Sequence, residues 1–389
     1  MMTRYWAVRC LSVVLLTSLL AVSCLGGRPR IKHPEVPREV ATLALVGQFS
    51  IPSGGRYPLV VGLPFGGISG LTTRDEGREV FGISDARLGG RIYGFAVEDP
   101  GGSLRVTTIS GVALSMAPDD SRPDHEGIAA LPDGTFAVGA EGTDGEPRLP
   151  PSIKIYGRHG DFQRRLRIPD KFISEPTGPA TRGARSNFSF ESLTLAPDGG
   201  RLFTASETAL IQDGDTATVD AGARTRILEF VARRGTFEPA REFAYDIEPL
   251  QKPPSAAGTK VNINGLVELL AVDRTTLLAL ERAYVQDAKD PAQHRSRIRI
   301  FRISLAGATD VSALESLKGR SEVIPVTKTM LVDLSEVQGL SPELAPGLDN
   351  FEGMTFGPRL PDGRASLLLV SDDNFNQDQR TWFLLFAIE

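Results

Sequence analysis

Five segments of the chain share one layout, and this repeat limits the fold more than any other feature of the sequence. Each segment has a short apolar stretch, a turn and a second apolar stretch that ends in an acidic residue. The segments cover residues 67–85, 125–141, 190–207, 263–281 and 351–372. In three of them the turn is Pro-Asp-Gly, at residues 132–134, 197–199 and 361–363. A tight turn between apolar runs indicates a β-hairpin.

Further strand-like stretches follow the hairpins. Two such stretches follow each of the first four, at 91–97 with 104–110, 152–157 with 162–168, 226–231 with 241–247, and 297–303 with 326–334. One stretch, 381–388, follows the fifth hairpin, and one, 43–51, precedes the first. We therefore predict an all-β propeller of five four-stranded blades, closed by the N- and C-terminal strands. The long interval between residues 281 and 350 leaves six blades as an alternative, and a β-sandwich with accidental similarity is a further one.

Composition narrows the class of protein. The 389 residues include 40 Gly and 27 Pro, a content typical of many short strands joined by turns. The net charge is −5 and no block of Lys or Arg is present, which argues against a nucleic-acid-binding protein. Residues after Cys24 contain no cysteine, so the folded part is stabilised without disulfides.

The N-terminus has the pattern of an export signal. Arg4 and Arg9 precede or flank an apolar run over residues 10–20, which is too short to span a bilayer. Residues 20–24 read Leu-Ala-Val-Ser-Cys and resemble a bacterial lipobox. We predict a signal peptide over 1–23, lipidation of Cys24, a tether over 24–40 and the propeller over 41–389. The expected location is periplasmic or cell-surface, in the outer membrane if the host has one; free secretion is the alternative. We expect a monomer that contacts the membrane only through the lipid.

Acidic and polar residues recur at two equivalent places in the five hairpins. The first strand of a blade lines the channel and the second runs back beside it, so the start of the first and the end of the second lie at one face. The starts carry Ser69, Glu126, Glu191, Asn264 and Glu352. The ends carry Asp85, Glu141, Glu207, Glu281 and Asp372. The repeat thus predicts a ring of carboxylates around one mouth of the channel.

Carboxylates this close cannot all remain ionised without a compensating charge. Oxygen ligands favour Ca²⁺ or Mg²⁺, whereas the four His are scattered and argue against zinc. We predict a calcium site held by Asp85, Glu126, Glu141, Glu191, Glu207, Glu281, Glu352 and Asp372. The alternative is that these acids are solvated, cap loops or pair with arginines such as Arg282. Next to Glu126, His125 is a candidate general acid or base. The sequence has neither a nucleophile elbow nor a glycine-rich phosphate loop.

Several of these motifs together resemble a known family. They are Asp-His-Glu-Gly-Ile at 124–128, Phe-Glu-Ser-Leu at 190–193, Ala-Leu-Glu-Arg at 279–282, Asn-Phe-Glu-Gly-Met at 350–354 and Ser-Asp-Asp-Asn-Phe at 371–375. From about Val46 to the C-terminus the chain resembles the bacterial phytase-like family, described as "esterase-like activity of phytase". The resemblance implies a propeller related to calcium-dependent phytases, which hydrolyse phosphate monoesters at an acidic channel mouth.

The resemblance also implies roles for individual residues. Calcium would be bound by Glu126, Glu191, Glu207, Glu281, Glu352 and Asp372, and Arg282 would neutralise phosphate oxygens. We predict Glu191, His125 and Arg282 as catalytic residues. The mouth lacks the run of basic residues that phytate would favour, so a simpler phosphate or carboxylate ester is as plausible a substrate. We therefore expect a metal-dependent ester hydrolase acting on a small-molecule ester. The competing class is a non-catalytic, calcium-stabilised propeller whose face binds a protein or a glycan.

Overall fold

Twenty β-strands and three 3₁₀ turns make up the secondary structure of the residues that the computed structural model describes. These residues are 40–54, 63–86, 89–99, 103–118, 123–143, 145–253, 255–290, 292–344 and 347–389. The predicted signal peptide, Cys24 and all of the predicted tether except Val40 lie outside them. Within them, none of the helical segments has the length and apolar character needed to cross a bilayer.

The strands follow the predicted stretches closely. In chain order they are β1 (Leu43–Pro52), β2 (Ile68–Arg74), β3 (Glu79–Ser84), β4 (Arg91–Glu98), β5 (Arg105–Ala113), β6 (His125–Ala130), β7 (Phe136–Ala140), β8 (Ser152–Tyr156), β9 (Phe162–Arg165) and β10 (Thr194–Leu195). They continue with β11 (Arg201–Ala205), β12 (Ala223–Arg233), β13 (Thr236–Ile247), β14 (Thr259–Ala271), β15 (Thr276–Asp287), β16 (His294–Ser304), β17 (Thr327–Asp333), β18 (Asn350–Phe356), β19 (Ser366–Asp372) and β20 (Arg380–Ile388). The 3₁₀ turns are Asp75–Gly77, Asp170–Phe172 and Leu334–Glu336.

The strands form five antiparallel sheets of four, which are the five blades of a propeller. Blade 1 is β2 to β5, blade 2 is β6 to β9, blade 3 is β10 to β13, blade 4 is β14 to β17, and blade 5 is β18 to β20 with β1 at its outer edge. The predicted fold is therefore confirmed.

The ring is closed by the two ends of the propeller. Strand β1 pairs antiparallel with β20 from Leu43 opposite Ile388 to Pro52 opposite Arg380. Beyond this ladder, the backbone N–H groups of Ala41 and Thr42 donate to the carbonyl of Glu389. The N-terminal strand thus completes the last blade, as predicted.

The hydrophobic core lies between the blades and not within a single sheet. Five clusters of buried side chains each join two neighbouring blades, including the pair formed by blades 5 and 1. In the cluster between blades 1 and 5, for example, Phe95 contacts Phe383 edge to face, with ring centroids 5.4 Å apart. Each blade buries both faces in this way, which explains why its strands are apolar on both sides.

The long interval between the fourth and fifth hairpins does not hold a sixth blade. Residues 305–326, between β16 and β17, pack instead along the outer strand of blade 3. The N–H of Val311 donates to the carbonyl of Glu242, and the N–H of Val326 donates to that of Ala244. Val311, Leu317 and Val323 form a small separate core with Ala244. The extra sequence therefore covers an exposed strand edge.

Candidate functional site

Glycines allow the inner strands to approach one another closely at the channel mouth. A Cβ atom on Gly127 would lie 2.8 Å from the carbonyl oxygen of Glu191 in the next blade. A Cβ atom on Gly70 would lie 2.4 Å from the carbonyl oxygen of Glu126. Only glycine fits this spacing at Gly70 and Gly127, so these two residues allow the inner strands of blades 1, 2 and 3 to approach closely at the mouth.

Bulges in the inner ladders determine where two of the acidic side chains lie. The register between β6 and β7 shifts between His125 and Ile128, and that between β18 and β19 shifts between Phe351 and Gly353. Glu126 and Glu352 therefore sit at bulges, where the strand bends and a side chain is re-aimed.

Seven of the eight predicted metal ligands come together at the mouth. Their carboxylates lie close enough to raise one another's pKa, and Asp124 is an eighth carboxylate with the same effect. We call this set the mouth cluster: Asp85, Asp124, Glu126, Glu141, Glu191, Glu207, Glu352 and Asp372. Apart from Asp85, every member is less than a tenth exposed.

Two overlapping triads give the mouth cluster the geometry of a cation site. Asp124, Glu126 and Glu141 each offer a carboxylate oxygen, and these oxygens lie within 4.8 Å of one another. Glu141, Glu191 and Glu207 do the same. Glu141 belongs to both triads, so it can bridge two adjacent sites.

The carboxylates of the cluster titrate far from their usual range. Burial, reinforced by neighbouring carboxylates, raises the pKa of Glu126 and of Glu191 well above the ordinary value. Burial and the charge of Glu207 raise the pKa of Glu141 to about 8. Burial raises the pKa of Glu207 to about 7, although the Arg282 guanidinium opposes this rise. Without a cation, the cluster therefore retains protons near neutral pH.

Glu141 and Glu191 are neighbours in the second triad. Each offers a carboxylate oxygen, and these oxygens lie within 4.8 Å of each other. The charge of Glu141 contributes to the raised pKa of Glu191. The backbone N–H of Ser189 donates to Oε1 of Glu141 at 2.5 Å, which fixes the orientation of the bridging carboxyl.

Arg282 is the guanidinium that contacts the cluster. Its Nη1 donates to Oε1 of Glu352 at 2.7 Å, and its Nη2 donates to Oε1 of Glu207 at 3.2 Å. Burial alone would lower the pKa of Arg282, but the carboxylates of Glu352 and Glu207 outweigh it and raise the pKa further. Arg282 thus contacts two of the eight carboxyl groups of the cluster, those of Glu207 and Glu352.

The donor set of the cluster fits a hard divalent cation. All of its ligand atoms are carboxylate oxygens, the ligands that Ca²⁺ and Mg²⁺ prefer. The buried excess of negative charge is the electrostatic condition that a bound cation would relieve. The hydroxyl of Ser69, at the start position of blade 1, is also buried and has no hydrogen-bond partner among the described residues.

Glu281, the remaining predicted ligand, lies outside the mouth cluster. In blade 4 the register shift falls between Leu266 and Glu268, further along the strand than in blades 2 and 5. Gly265 is opposite Arg282, and Leu266 is opposite Glu281. Because successive side chains of a strand point to opposite faces, Arg282 reaches the cluster and Glu281 does not.

Glu281 is instead held by cationic and hydroxyl groups. Its carboxylate accepts hydrogen bonds from the hydroxyl of Tyr245 at 2.8 Å and from Nη2 of Arg299 at 3.1 Å. It also forms an ion pair with Lys328. These partners compensate its charge without a metal.

His125 packs between blades 1 and 2 and does not point into the cluster. Its ring meets Tyr156 edge to face with centroids 6.3 Å apart, and its Nδ1 lies against Gly90. Burial, with a contribution from Lys154, lowers the pKa of His125 to about 3. The ring is therefore neutral at physiological pH, and this placement does not favour the predicted role in proton transfer.

Two buried carboxylates near the axis were not predicted as site residues. Asp124 lies two residues before Glu126, at a position where the other four hairpins have no acid, so the repeat gives no signal for it. Glu268 accepts a hydrogen bond from the backbone N–H of Leu269 at 2.9 Å, and the backbone groups of Leu71, Leu193 and Met354, from three other blades, oppose the rise in pKa that burial causes. No sequence pattern shows this convergence, which depends on the blades meeting at the axis.

The family of the chain follows from comparison with known proteins. The family model described as esterase-like activity of phytase matches residues 63–375. The chain belongs to this phytase-like family of propellers, as its motifs predicted. Membership indicates a hydrolase-type activity. Among curated proteins no match was found.

Solved structures give weak and varied similarities. The catalytic domain of a Coprinopsis cinerea GH62 α-L-arabinofuranosidase is 11% identical, with 91% of this chain and 98% of that chain covered and a TM-score of 0.39. Kuenenia stuttgartiensis hydrazine synthase is 10% identical, with 86% and 100% covered and a TM-score of 0.33. At TM-scores this low, neither supports an inference about function.

Proposed function

We propose that the protein is a calcium-dependent hydrolase that acts on phosphoric esters at the mouth cluster. The observation that carries this proposal is the pair of buried carboxylate triads that share Glu141. A structural ion needs one closed set of ligands, whereas two sets that meet at a channel mouth suit an ion that also contacts a substrate. The phytase-like family supports the same class of reaction.

The residues of the two triads would hold the cation. Glu141 would bridge, with Asp124 and Glu126 on one side and Glu191 and Glu207 on the other. When bound there, calcium would polarise the ester and lower the pKa of a coordinated water.

Glu191 is the member of the cluster best suited to move a proton. Its carboxylate oxygen lies within 4.8 Å of that of Glu141, and its pKa is raised well above the ordinary range by burial and by Glu141 and Glu126. A carboxylate with a raised pKa accepts a proton from water more readily at neutral pH. Arg282, next to Glu207 and Glu352, would offset the charge of phosphate oxygens. A single guanidinium suits a monophosphate ester better than a highly phosphorylated substrate.

The proposed location is outside the cytoplasm, with the protein acting as a monomer. The export signal over residues 1–23 and the lipobox-like sequence before Cys24 support a lipid-anchored form, facing the periplasm or the cell surface. Radiolabelled palmitate incorporation that is lost in Cys24→Ser would test the anchor, and free secretion of the unmodified protein would contradict it.

Turnover of p-nitrophenyl phosphate and p-nitrophenyl acetate, with calcium and with EGTA, tests the proposal. We expect calcium-dependent hydrolysis of the phosphate ester. The variant Glu191→Gln should lose this activity and the calcium-induced rise in melting temperature. Glu281→Gln is the matched control, because Glu281 is equally buried but lies outside the mouth cluster.

The outcomes separate the two classes of function. Phosphate-ester turnover that depends on calcium and on Glu191, but not on Glu281, supports the hydrolase. Absence of turnover together with a large calcium-dependent rise in melting temperature would overturn it in favour of a calcium-stabilised binding propeller. Hydrolysis of the acetate ester alone would overturn the assignment of phosphoric esters.

A further inference from the structure

A cleft of about 750 Å³ adjoins the mouth cluster between blades 4 and 5. Arg282 and Asn350 line the cleft and also contact Glu352 of the cluster. The cleft and the carboxylates therefore share a wall. A volume of this size is typical of small-molecule sites. A ligand in the cleft would therefore lie next to Glu352 of the mouth cluster.

One side of the cleft presents aromatic rings. Tyr284 on β15 and His294 on β16 have ring centroids 5.9 Å apart and are inclined by 39°. Trp382 on β20 also lines the cleft, with 5% of its surface exposed and the rest packed in the core between blades 4 and 5. Such rings provide flat apolar contact area with little loss of conformational entropy. They suit the C–H face of a sugar ring.

The other side presents side-chain amides held in defined orientations. Nε2 of Gln379 donates to Asp349 at 2.8 Å, and Nδ2 of Asn374 donates to Oε1 of Gln379 at 3.3 Å. An amide has two donors and an acceptor oxygen with two lone pairs, so each retains groups for a ligand. Amides that both donate and accept hydrogen bonds are suited to bind hydroxyl groups, which also donate and accept.

The charge of the cleft argues against a polyanionic ligand. Among its described lining residues the permanent cation is Arg282, which already contacts Glu207 and Glu352. Three acids, Glu343, Asp349 and Asp378, also line the cleft. A highly phosphorylated molecule would be repelled here, whereas a neutral molecule would not.

We propose that this cleft binds a neutral carbohydrate, which carries the ester that the mouth cluster hydrolyses. The assignment of the ester rests on the proposed function, but the carbohydrate site is tested without turnover. The substrate class is then a phosphate ester of an otherwise uncharged sugar or glycan.

Tryptophan fluorescence provides a direct measurement. The chain has two tryptophans, Trp6 in the export signal and Trp382 in the cleft, so Trp6→Phe leaves a single reporter. In that background we would titrate xylotriose, cellotriose, mannotriose and chitotriose in the presence of EGTA. We expect at least one to change the emission saturably, and Tyr284→Ala to weaken its binding at least tenfold. Asn376→Ala, which changes an exposed amide of the cleft, should weaken it severalfold.

Three comparisons make the result decisive. Met330→Ala, an exposed change on β17 of the same blade, should bind as the parent does. Glu191→Gln should also bind normally, so a failure of hydrolysis leaves this test intact. The absence of a saturable change with every trisaccharide, unchanged binding by Tyr284→Ala, or stronger binding of inositol hexakisphosphate would each overturn the carbohydrate site. Calcium-dependent turnover without carbohydrate binding would overturn this inference alone.

Discussion

Buried carboxylates occur in two very different settings in this propeller, the mouth cluster and an ion network in blade 3. The second, which we call the blade 3 network, consists of Lys171, Asp213, Arg226 and Glu242. In the network both acids form ion pairs with Lys171 or Arg226, whereas in the mouth cluster Arg282 contacts two of the eight acids, Glu207 and Glu352. The acids of the two regions are buried to a similar extent, so the regions differ in how far cationic side chains balance the charge of the acids.

The blade 3 network is saturated with partners. Arg226 is fully buried and binds Asp213 through two hydrogen bonds, of 2.6 and 2.8 Å, and Glu242 through one of 2.7 Å. Lys171 donates to the carbonyls of Ser312 and Leu314. The network thereby fastens residues 305–326 to the outer strand of blade 3. Its charges are compensated by the protein itself.

The contrast distinguishes a network whose charges compensate one another from a cluster with an excess of acids. A balanced network has no capacity for another ion, and its loss would unfold the surrounding structure. An unbalanced cluster requires protons or a cation from solution. Substitutions in the two regions should therefore change stability in opposite directions, and calcium should affect only one.

The largest effect is expected from Arg226→Met. The substitution leaves Asp213 and Glu242 buried without their main partner, which costs about 3–5 kcal/mol of unfolding free energy. Urea denaturation measures this loss. Arg224→Gln is the control, because the ion pair of Arg224 with Asp246 is exposed and contributes about 1 kcal/mol or less. A loss below 1 kcal/mol in Arg226→Met would show that the network is not structural.

The pH dependence of the calcium-free protein is the next effect. The pKa values of Glu207 and Glu141 rise from an ordinary 4.5 to about 7 and about 8 on folding. A raised carboxyl pKa stabilises the fold fully below the unfolded value, and this stability is lost as pH rises through the folded values. We expect the unfolding free energy in EGTA to fall by a few kcal/mol between pH 5 and 8.5.

Calcium should reverse this slope, because it binds the ionised carboxylates and its affinity increases as they lose protons. Urea denaturation at several pH values, with EGTA and with calcium, measures both curves. Stability in EGTA that stays constant or rises with pH would contradict the assignment of unbalanced charge to the mouth cluster.

Glu281→Gln tests an acid that the sequence places in the ring and the structure places outside it. The substitution weakens the contacts with Arg299 and Lys328, which we expect to cost about 1–3 kcal/mol. The rise in melting temperature on adding calcium should remain that of the parent. A smaller calcium effect in this variant would indicate that Glu281 contributes to the cation site.

The propeller could be predicted because the sequence repeats one local hairpin pattern five times. Turn residues and apolar stretches determine each hairpin, and the unmatched stretches at the two ends predicted the pairing of β1 with β20. The blade 3 extension could not be predicted, because residues 305–326 are held by contacts with distant residues such as Arg226.

The site could be predicted for those blades in which the register between the two inner strands is the same as in the other repeats. Glu126, Glu191 and Glu352 share one local motif and converge as expected. Glu281 holds the end position of its hairpin, as Glu141 and Glu207 do, but a shift of the bulge toward Glu268 turns the neighbouring Arg282 to the mouth. A displaced bulge changes which side chain faces the channel and has no clear signature in a single sequence.

The smallest effect, and the one with the most informative sign, is expected from Glu126→Gln. In EGTA at pH 8 the amide removes a carboxyl whose ionisation is opposed by burial and by the charges of Asp85, Glu141 and Glu352. We expect the unfolding free energy to rise, since the amide carries no charge for burial and the neighbouring carboxylates to oppose. Asp213→Asn, the matching change in the blade 3 network, should lower it because Arg226 loses a charged partner. Urea denaturation of both variants decides the point. A loss of stability in Glu126→Gln like that in Asp213→Asn would mean that the mouth cluster is held together as a structural network, and the distinction between the two regions would fail.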